Sequence, residues 1–202
     1  MNEGWRLDWL GDAALTVLVD DESPLAANAS VHRLARRLRG AGVPGVRDVV
    51  PGMRELVVHV DPLRCDVSRV TAALQAAGAD DQLPQVGPVV EVPVVYGGDG
   101  GPDLSDVALA CGLAPDQVCR RHAALEYVVC FVGFLPGFPY LGMLDEQLRL
   151  PRRVTPRTSV PAGSVAIAGD YSGIYPWASP GGWHIIGHTD MPMFDLDANP
   201  PR

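Results

Sequence analysis

Residues 131–142 read Phe131-Val-Gly-Phe-Leu-Pro-Gly-Phe-Pro-Tyr-Leu-Gly142, and the same style continues through Pro151-Arg-Arg-Val-Thr-Pro-Arg157, Pro161-Ala-Gly-Ser-Val-Ala-Ile-Ala-Gly169, Gly173-Ile-Tyr-Pro176 and Ser179-Pro-Gly-Gly-Trp-His-Ile-Ile-Gly-His-Thr189. A linker this rich in Gly and Pro would be polar. Here Phe, Tyr, Trp, Ile and Leu stand between the turns, so the punctuation shapes a packed all-β body with tight corners.

Working back from that body, Tyr127–Val132 reads as a buried strand. Two short helices precede it, one with Leu104, Val107, Ala108 and Cys111 on a face, the other with Val118, Cys119, His122 and Leu125. Val89–Tyr96 reads as a strand, and the polar, turn-rich stretch Asp80–Pro88 before it as a domain boundary.

The first 85 residues have a different texture. Trp5–Leu10 and Ala14–Val19 alternate around Gly11-Asp12 and predict a β-hairpin with a two-residue turn. Ser23-Pro24 opens a helix whose apolar stripe is Ala27, Val31, Leu34, Ala35 and Leu38, with Gly40 and Gly42 to stop it. A second hairpin pairs Val46–Val50 with Leu56–Val60 across Pro51-Gly52, and a second helix runs from Asp66 to Gly78. The fold class expected is therefore an α+β N-terminal domain over residues 1–85, with two helices on one antiparallel sheet, followed by a β-body over 86–202.

The chain has 202 residues and a net charge of −8, which disfavours nucleic acid or an anionic membrane as the main partner. No apolar run reaches the length of a membrane span, and the start, Met-Asn-Glu-Gly-Trp-Arg, has no signal-peptide core, so a cytoplasmic location is expected. All 16 basic residues are Arg. The absence of Lys removes a Walker-type phosphate loop, Schiff-base chemistry, a Ser-Ser-Lys amidase and covalent biotin attachment to this chain. The four cysteines form no Cys-x-x-Cys pair, and Cys119 with His122 falls short of a ligand set, so no metal is expected.

The succession His122, Gly133–Leu141, Pro151-Arg-Arg, Pro156-Arg-Thr, Val160–Gly169, Gly173–Pro176 and Ser179-Pro-Gly-Gly-Trp183, together with the Trp5–Leu10/Gly11-Asp12 opening, closely resembles the KipI family. That family is also described as allophanate hydrolase subunit 1 or as the B subunit of bacterial 5-oxoprolinase. The resemblance implies a cyclophilin-like β-barrel over 86–202, kinship with the carboxyltransferase part of urea carboxylase, and a partner subunit with a similar barrel (KipA-like, or C-type). It also implies a third, A-type subunit. Two positions depart from the family pattern: Tyr171-Ser172 stands where many relatives have Gln-Thr, and His188 where they usually have Arg. Relatives also continue past the Pro200-Pro201 position into a closing strand.

Several residues are candidates for a site. Arg157, between Pro156 and Thr158 and beside the glycine turns, is the best placed to grip a substrate carboxylate with its planar fork. Arg149, Arg152 and Arg153 read instead as loop charges that pair with local carboxylates or a partner chain. Ser164 sits at a glycine turn, but Gly163-Ser164-Val165-Ala166 lacks the second glycine of a nucleophile elbow, so a hydrogen-bonding role is favoured over attack. Gly181 and Gly182 offer backbone amides for an oxyanion, or simply turn a corner. Tyr175 and Trp183 supply an aromatic wall, and His184 a proton relay.

The function expected from the resemblance is a non-autonomous subunit of an ATP-dependent 5-oxoprolinase, with ATP handled by the complex and a small amide as substrate. The alternatives are amide hydrolysis of allophanate in urea breakdown, inhibition of a histidine kinase by protein binding, and a carboxyltransferase half served by a separate biotinylated carrier.

Overall fold

A computed structural model of the chain describes residues 4–76 and 87–195. These fall into two compact units, 1–88 and 89–202. The expected boundary at residues 85 and 86, the end of the second helix at Gly78 and the chain's last seven positions lie outside the described residues.

In the first unit β1 (Trp5–Trp9) and β2 (Ala14–Val19) form the first hairpin, and β3 (Val46–Pro51) and β4 (Glu55–Val60) the second. The sheet order is β1-β2-β4-β3, all antiparallel, so the two hairpins join through β2 and β4. The first turn is one residue longer than the sequence suggests: Leu10 N–H donates to the Ala14 carbonyl at 2.9 Å, enclosing Gly11, Asp12 and Ala13. Helix α1 (Pro24–Ala41) starts where Ser23 caps it, the Ser23 hydroxyl accepting from Ala26 N–H. It runs through Gly40 and stops at Gly42, whose φ of 55° is the left-handed C-cap that glycine adopts without a Cβ penalty. The expected stripe of Ala27, Val31, Leu34, Ala35 and Leu38 is buried against β2, β4 and α2 (Val67–Gln75), forming one apolar core with Leu15, Val17, Leu56 and Val58.

The second unit is built on a six-stranded antiparallel sheet. Its strands are β5 (Val95–Tyr96), β6 (Val128–Val132), β7 (Pro139–Gly142), β9 (Ser164–Ala168), β10 (Tyr171–Ile174) and β12 (His184–His188), in the order β5-β12-β9-β10-β7-β6. A two-stranded sheet pairs β8 (Arg157–Val160) with β11 (Ser179–Gly181). Side chains alternate across the long sheet. Val165, Ile167, Ile174 and Ile186 face one way, against Leu104 and Val107 of α3 (Leu104–Cys111) and Val118 of α4 (Pro115–Ala123). Ala166, Ala168 and Ile185 share the other face with Phe138, Tyr175 and Trp183. The small residues leave room there for a layer of rings.

Two elements differ from the sequence reading. Of Val89–Tyr96 only Val95 and Tyr96 pair, with His188 and Gly187 of β12. The apolar run β6, expected to be a buried strand, is the edge of the sheet, with Val128, Val129 and Val132 all about half exposed. A short apolar run does not reveal whether a strand has one neighbour or two.

Candidate functional site

The ring layer is the most elaborate surface of the second unit. Phe138 lies at its centre, edge-on to Tyr140 at 5.1 Å, Tyr175 at 5.1 Å and Trp183 at 5.5 Å between ring centroids. Phe131 stacks on Tyr140 at 4.2 Å, and Tyr171 meets both edge-on. Trp183 and Tyr175 are buried, so these two expected wall residues form the floor. Gly173 fits beneath this floor because a Cβ there would press on Phe138 and Trp183. Gly181 is needed for a related reason: a side chain would collide with the Tyr175 hydroxyl.

What remains open to solvent is Phe134, Tyr140 and the loop 151–157. Phe134 is 60% exposed and carries a φ of 66°, a left-handed conformation that costs a side-chain-bearing residue about 1–2 kcal/mol. Its ring sits edge-on to Phe138 at 5.6 Å. Residues held in such strain cluster at active sites and ligand clamps. The Tyr140 phenol is shifted upward by burial, with the Arg152 charge opposing, and its hydroxyl has no hydrogen-bond partner among the described residues.

Arg157 is engaged within the fold. Its Nη1 and Nη2 donate to Asp103 Oδ2 and Oδ1 at 2.9 and 2.7 Å, so the bidentate fork assigned to a substrate carboxylate is closed on a carboxylate of the chain itself. Arg153 Nη1 adds a bond to Asp103 Oδ1 at 2.8 Å, and Ile185 N–H one to Oδ2 at 2.7 Å. Burial works to raise the Asp103 pKa, but the Arg157 fork, the Ile185 amide and the Arg153 charge outweigh it and hold the carboxyl below its ordinary value. This cluster ties α3 to β8 and β12 from within. Arg149 is also paired, with Glu146 and Asp170.

His184 donates from Nε2 to the Pro151 carbonyl at 2.9 Å, which fixes the proton on that nitrogen in the neutral ring. Nδ1 is left as a lone pair with no partner among the described residues. Arg153 N–H donates to the Gly182 carbonyl at 2.8 Å. Gly182 thereby acts as a backbone acceptor for the arginine loop. Ser164 is buried on β9, and no hydrogen bond joins its hydroxyl to His184 or His188 among the described residues. His188 turns to Asp190 at 3.2 Å instead.

A second polar group, which the sequence reading did not assemble, lies under the opposite face. His122 is buried between Tyr96, whose hydroxyl meets Nδ1 at 2.7 Å, and Ser172, whose hydroxyl meets Nε2 at 2.8 Å. The Ala166 carbonyl, 3.4 Å from Ser172 Oγ, can only accept, so Ser172 donates to it. It follows that Nε2–H donates to Ser172 and that Tyr96 O–H donates to Nδ1. Burial depresses the His122 pKa to about 4 and pushes Tyr96 up to about 12, so the whole chain of groups is neutral. With both nitrogens engaged, His122 is no partner for Cys119 at a metal. The Ser172 hydroxyl thus serves this network as acceptor and donor. Among the described residues no three His, Cys, Asp or Glu side chains gather as a ligand set, and no helix is long and apolar enough to cross a membrane.

The second unit is thus a helix-backed antiparallel sheet whose other face is an aromatic layer beside an arginine-bearing loop. The chain belongs to the family of the carboxyltransferase domain, subdomain C and D, which matches residues 5–202. It is 43% identical to the B subunit of 5-oxoprolinase from Escherichia coli O157:H7 over 193 residues, 95% of this chain and 88% of that protein. Among solved structures TTHA0988 superposes with a TM-score of 0.80 at 37% identity over 92% of this chain, which spans only 36% of that longer one. The urea amidolyase of K. lactis shares the fold, with a TM-score of 0.71 at 17% identity over 92% of this chain and 13% of its own.

Proposed function

We propose that this chain is the B-type subunit of an ATP-dependent 5-oxoprolinase, which opens the lactam of 5-oxoproline to glutamate only as part of a complex. The observation that carries the reading is the 43% identity with a protein named as the B subunit of 5-oxoprolinase, along 88% of that protein's length. The geometry supports a share in the work rather than all of it. The aromatic face, the loop arginines and the free Nδ1 of His184 are equipped to hold a small polar amide and move a proton. Ser164 lacks a base, and a chain without Lys has no Walker-type phosphate site, so activation of the amide by ATP is assigned to the assembly.

The finer parts of the reading follow the same line. The sheet with β8 and β11 is taken as a cyclophilin-like barrel, paired in the cytoplasm with a related C-type (KipA-like) barrel subunit and with an A-type subunit. TTHA0988, of which this chain corresponds to 36%, is long enough to hold more than one such unit in a single polypeptide. Deleting the gene is expected to make cells accumulate 5-oxoproline and fail to grow on it as nitrogen source. Normal growth on 5-oxoproline with loss of allophanate or urea use contradicts the proposal and favours the allophanate reading.

A further inference from the structure

We infer that Arg152, rather than Arg157, receives the carboxylate of the substrate; the inference rests on the 5-oxoprolinase reading and adds the residue that selects for an acid. Four arginines lie in the loop region 149–157, and three of them are consumed within the fold: Arg149 by Glu146 and Asp170, Arg153 and Arg157 by Asp103. Arg152 is exposed and, among the described residues, has neither an ion pair nor a hydrogen bond. Asp103 balances only one of the three guanidinium groups at 152, 153 and 157, so this rim is cationic in a chain of net charge −8. An incoming anion is drawn there.

The backbone holds Arg152 ready. On one side the Pro151 carbonyl accepts from His184 Nε2, and on the other the Arg153 amide donates to Gly182. With both neighbours pinned, little ordering is left to be done when the guanidinium closes on a ligand. The same two bonds fasten the loop to Gly182 and His184, on either side of Trp183 in the ring layer, and the Arg152 charge opposes the rise that burial imposes on the Tyr140 and Tyr175 phenols. Of these two hydroxyls Tyr175 is buried, and Tyr140, with no hydrogen-bond partner among the described residues, is the one placed to donate to a ligand. A cation with a forked donor, a phenol donor and the exposed Phe134 and part-buried Tyr140 rings as apolar backing suit a flat, five-membered ring bearing one carboxylate.

The test is kinetic, on the purified complex of this chain with its partner subunits and ATP, using 5-oxoproline and its neutral counterpart 5-oxoprolinamide. Wild type is expected to prefer the acid. Arg152→Gln should raise KM for 5-oxoproline by about 10- to 100-fold with little change in kcat, the loss expected for one charge-assisted forked contact, and should erase the preference over the amide. Arg152→Lys, which restores charge without the fork, should recover part of the preference. A merely structural role for Arg152 would lower both substrates alike. Unchanged KM and unchanged acid preference in Arg152→Gln overturn the inference while leaving the 5-oxoprolinase reading intact; a wild-type complex that does not turn over 5-oxoproline overturns both.

Discussion

Among the described residues, the N-terminal unit buries a single polar side chain, Asn28, whereas the C-terminal unit buries Asp103, His122, Ser164, Ser172 and Thr189. The first unit is held by the simplest means: a helix stripe on a sheet face, with Asn28 spanning from α1 to the Gly52 carbonyl at 3.0 Å. The second withdraws charges and hydroxyls from water, which is tolerated only when each finds partners. Those partners hold in place the strands that carry the ring layer and the arginine loop. Packing alone suffices to make a domain; buried polar scaffolding is what gives a surface fixed positions for chemistry.

The contrast between the units should be largest at Asp103. Asp103→Asn takes the charge from the buried carboxylate that both part-buried Arg153 and Arg157 pair with, and should cost about 3 kcal/mol by urea denaturation. Asn28→Ala in the other unit removes the neutral hydrogen bond to Gly52 together with the side chain's other contacts, and should cost about 1–2 kcal/mol. Equal losses would mean that the buried ion cluster carries no special weight.

His122 separates the units through pH. Its folded pKa of about 4 lies below the ordinary value of 6.5, so between these values the unfolded chain takes up the proton first and stability falls as pH falls. Denaturation followed from pH 7 to 4 should show a loss of about 3 kcal/mol, with a flatter profile in His122→Gln. Asp103 acts in a different window. Its folded pKa is depressed, so its contribution is present above the unfolded value of 3.8 and is lost only at lower pH. A stability profile flat down to pH 4 would contradict a neutral Tyr96–His122–Ser172 chain.

The smallest stability effect is expected at Phe134. Phe134→Gly relieves the left-handed backbone and gives up the ring contacts, and these nearly cancel to a net change below about 1 kcal/mol. Turnover by the complex should nonetheless drop, since an exposed ring of the proposed substrate face is gone. Full activity in that variant would show that the strain at Phe134 serves only the turn.

The N-terminal unit was legible in the sequence because its information is local. Ser23-Pro24, the stripe from Ala27 to Leu38 and the alternation in the hairpins each specify structure within one or two turns of chain. The Gly/Pro punctuation likewise marked β7 to β12. The candidate site was readable only as an inventory. Arg157 and Arg153 find Asp103 54 and 50 residues away, and His122 finds Tyr96 and Ser172 at separations of 26 and 50, none of which spacing can disclose. One signal was available and pointed the other way: four arginines close together cannot all be free, and the one just after Pro156 looked the most constrained. Its constraint turned out to be an internal carboxylate. The family resemblance, by contrast, rested on motifs whose order is itself sequence information.

Whether this chain works as one part of a 5-oxoprolinase is decided by purifying it alone and together with its partner subunits, and following glutamate release from 5-oxoproline with and without ATP. No turnover is expected from the chain alone, and ATP-dependent glutamate formation is expected from the complex. Turnover by the isolated chain, or a complex that hydrolyses allophanate and leaves 5-oxoproline intact, would contradict that role.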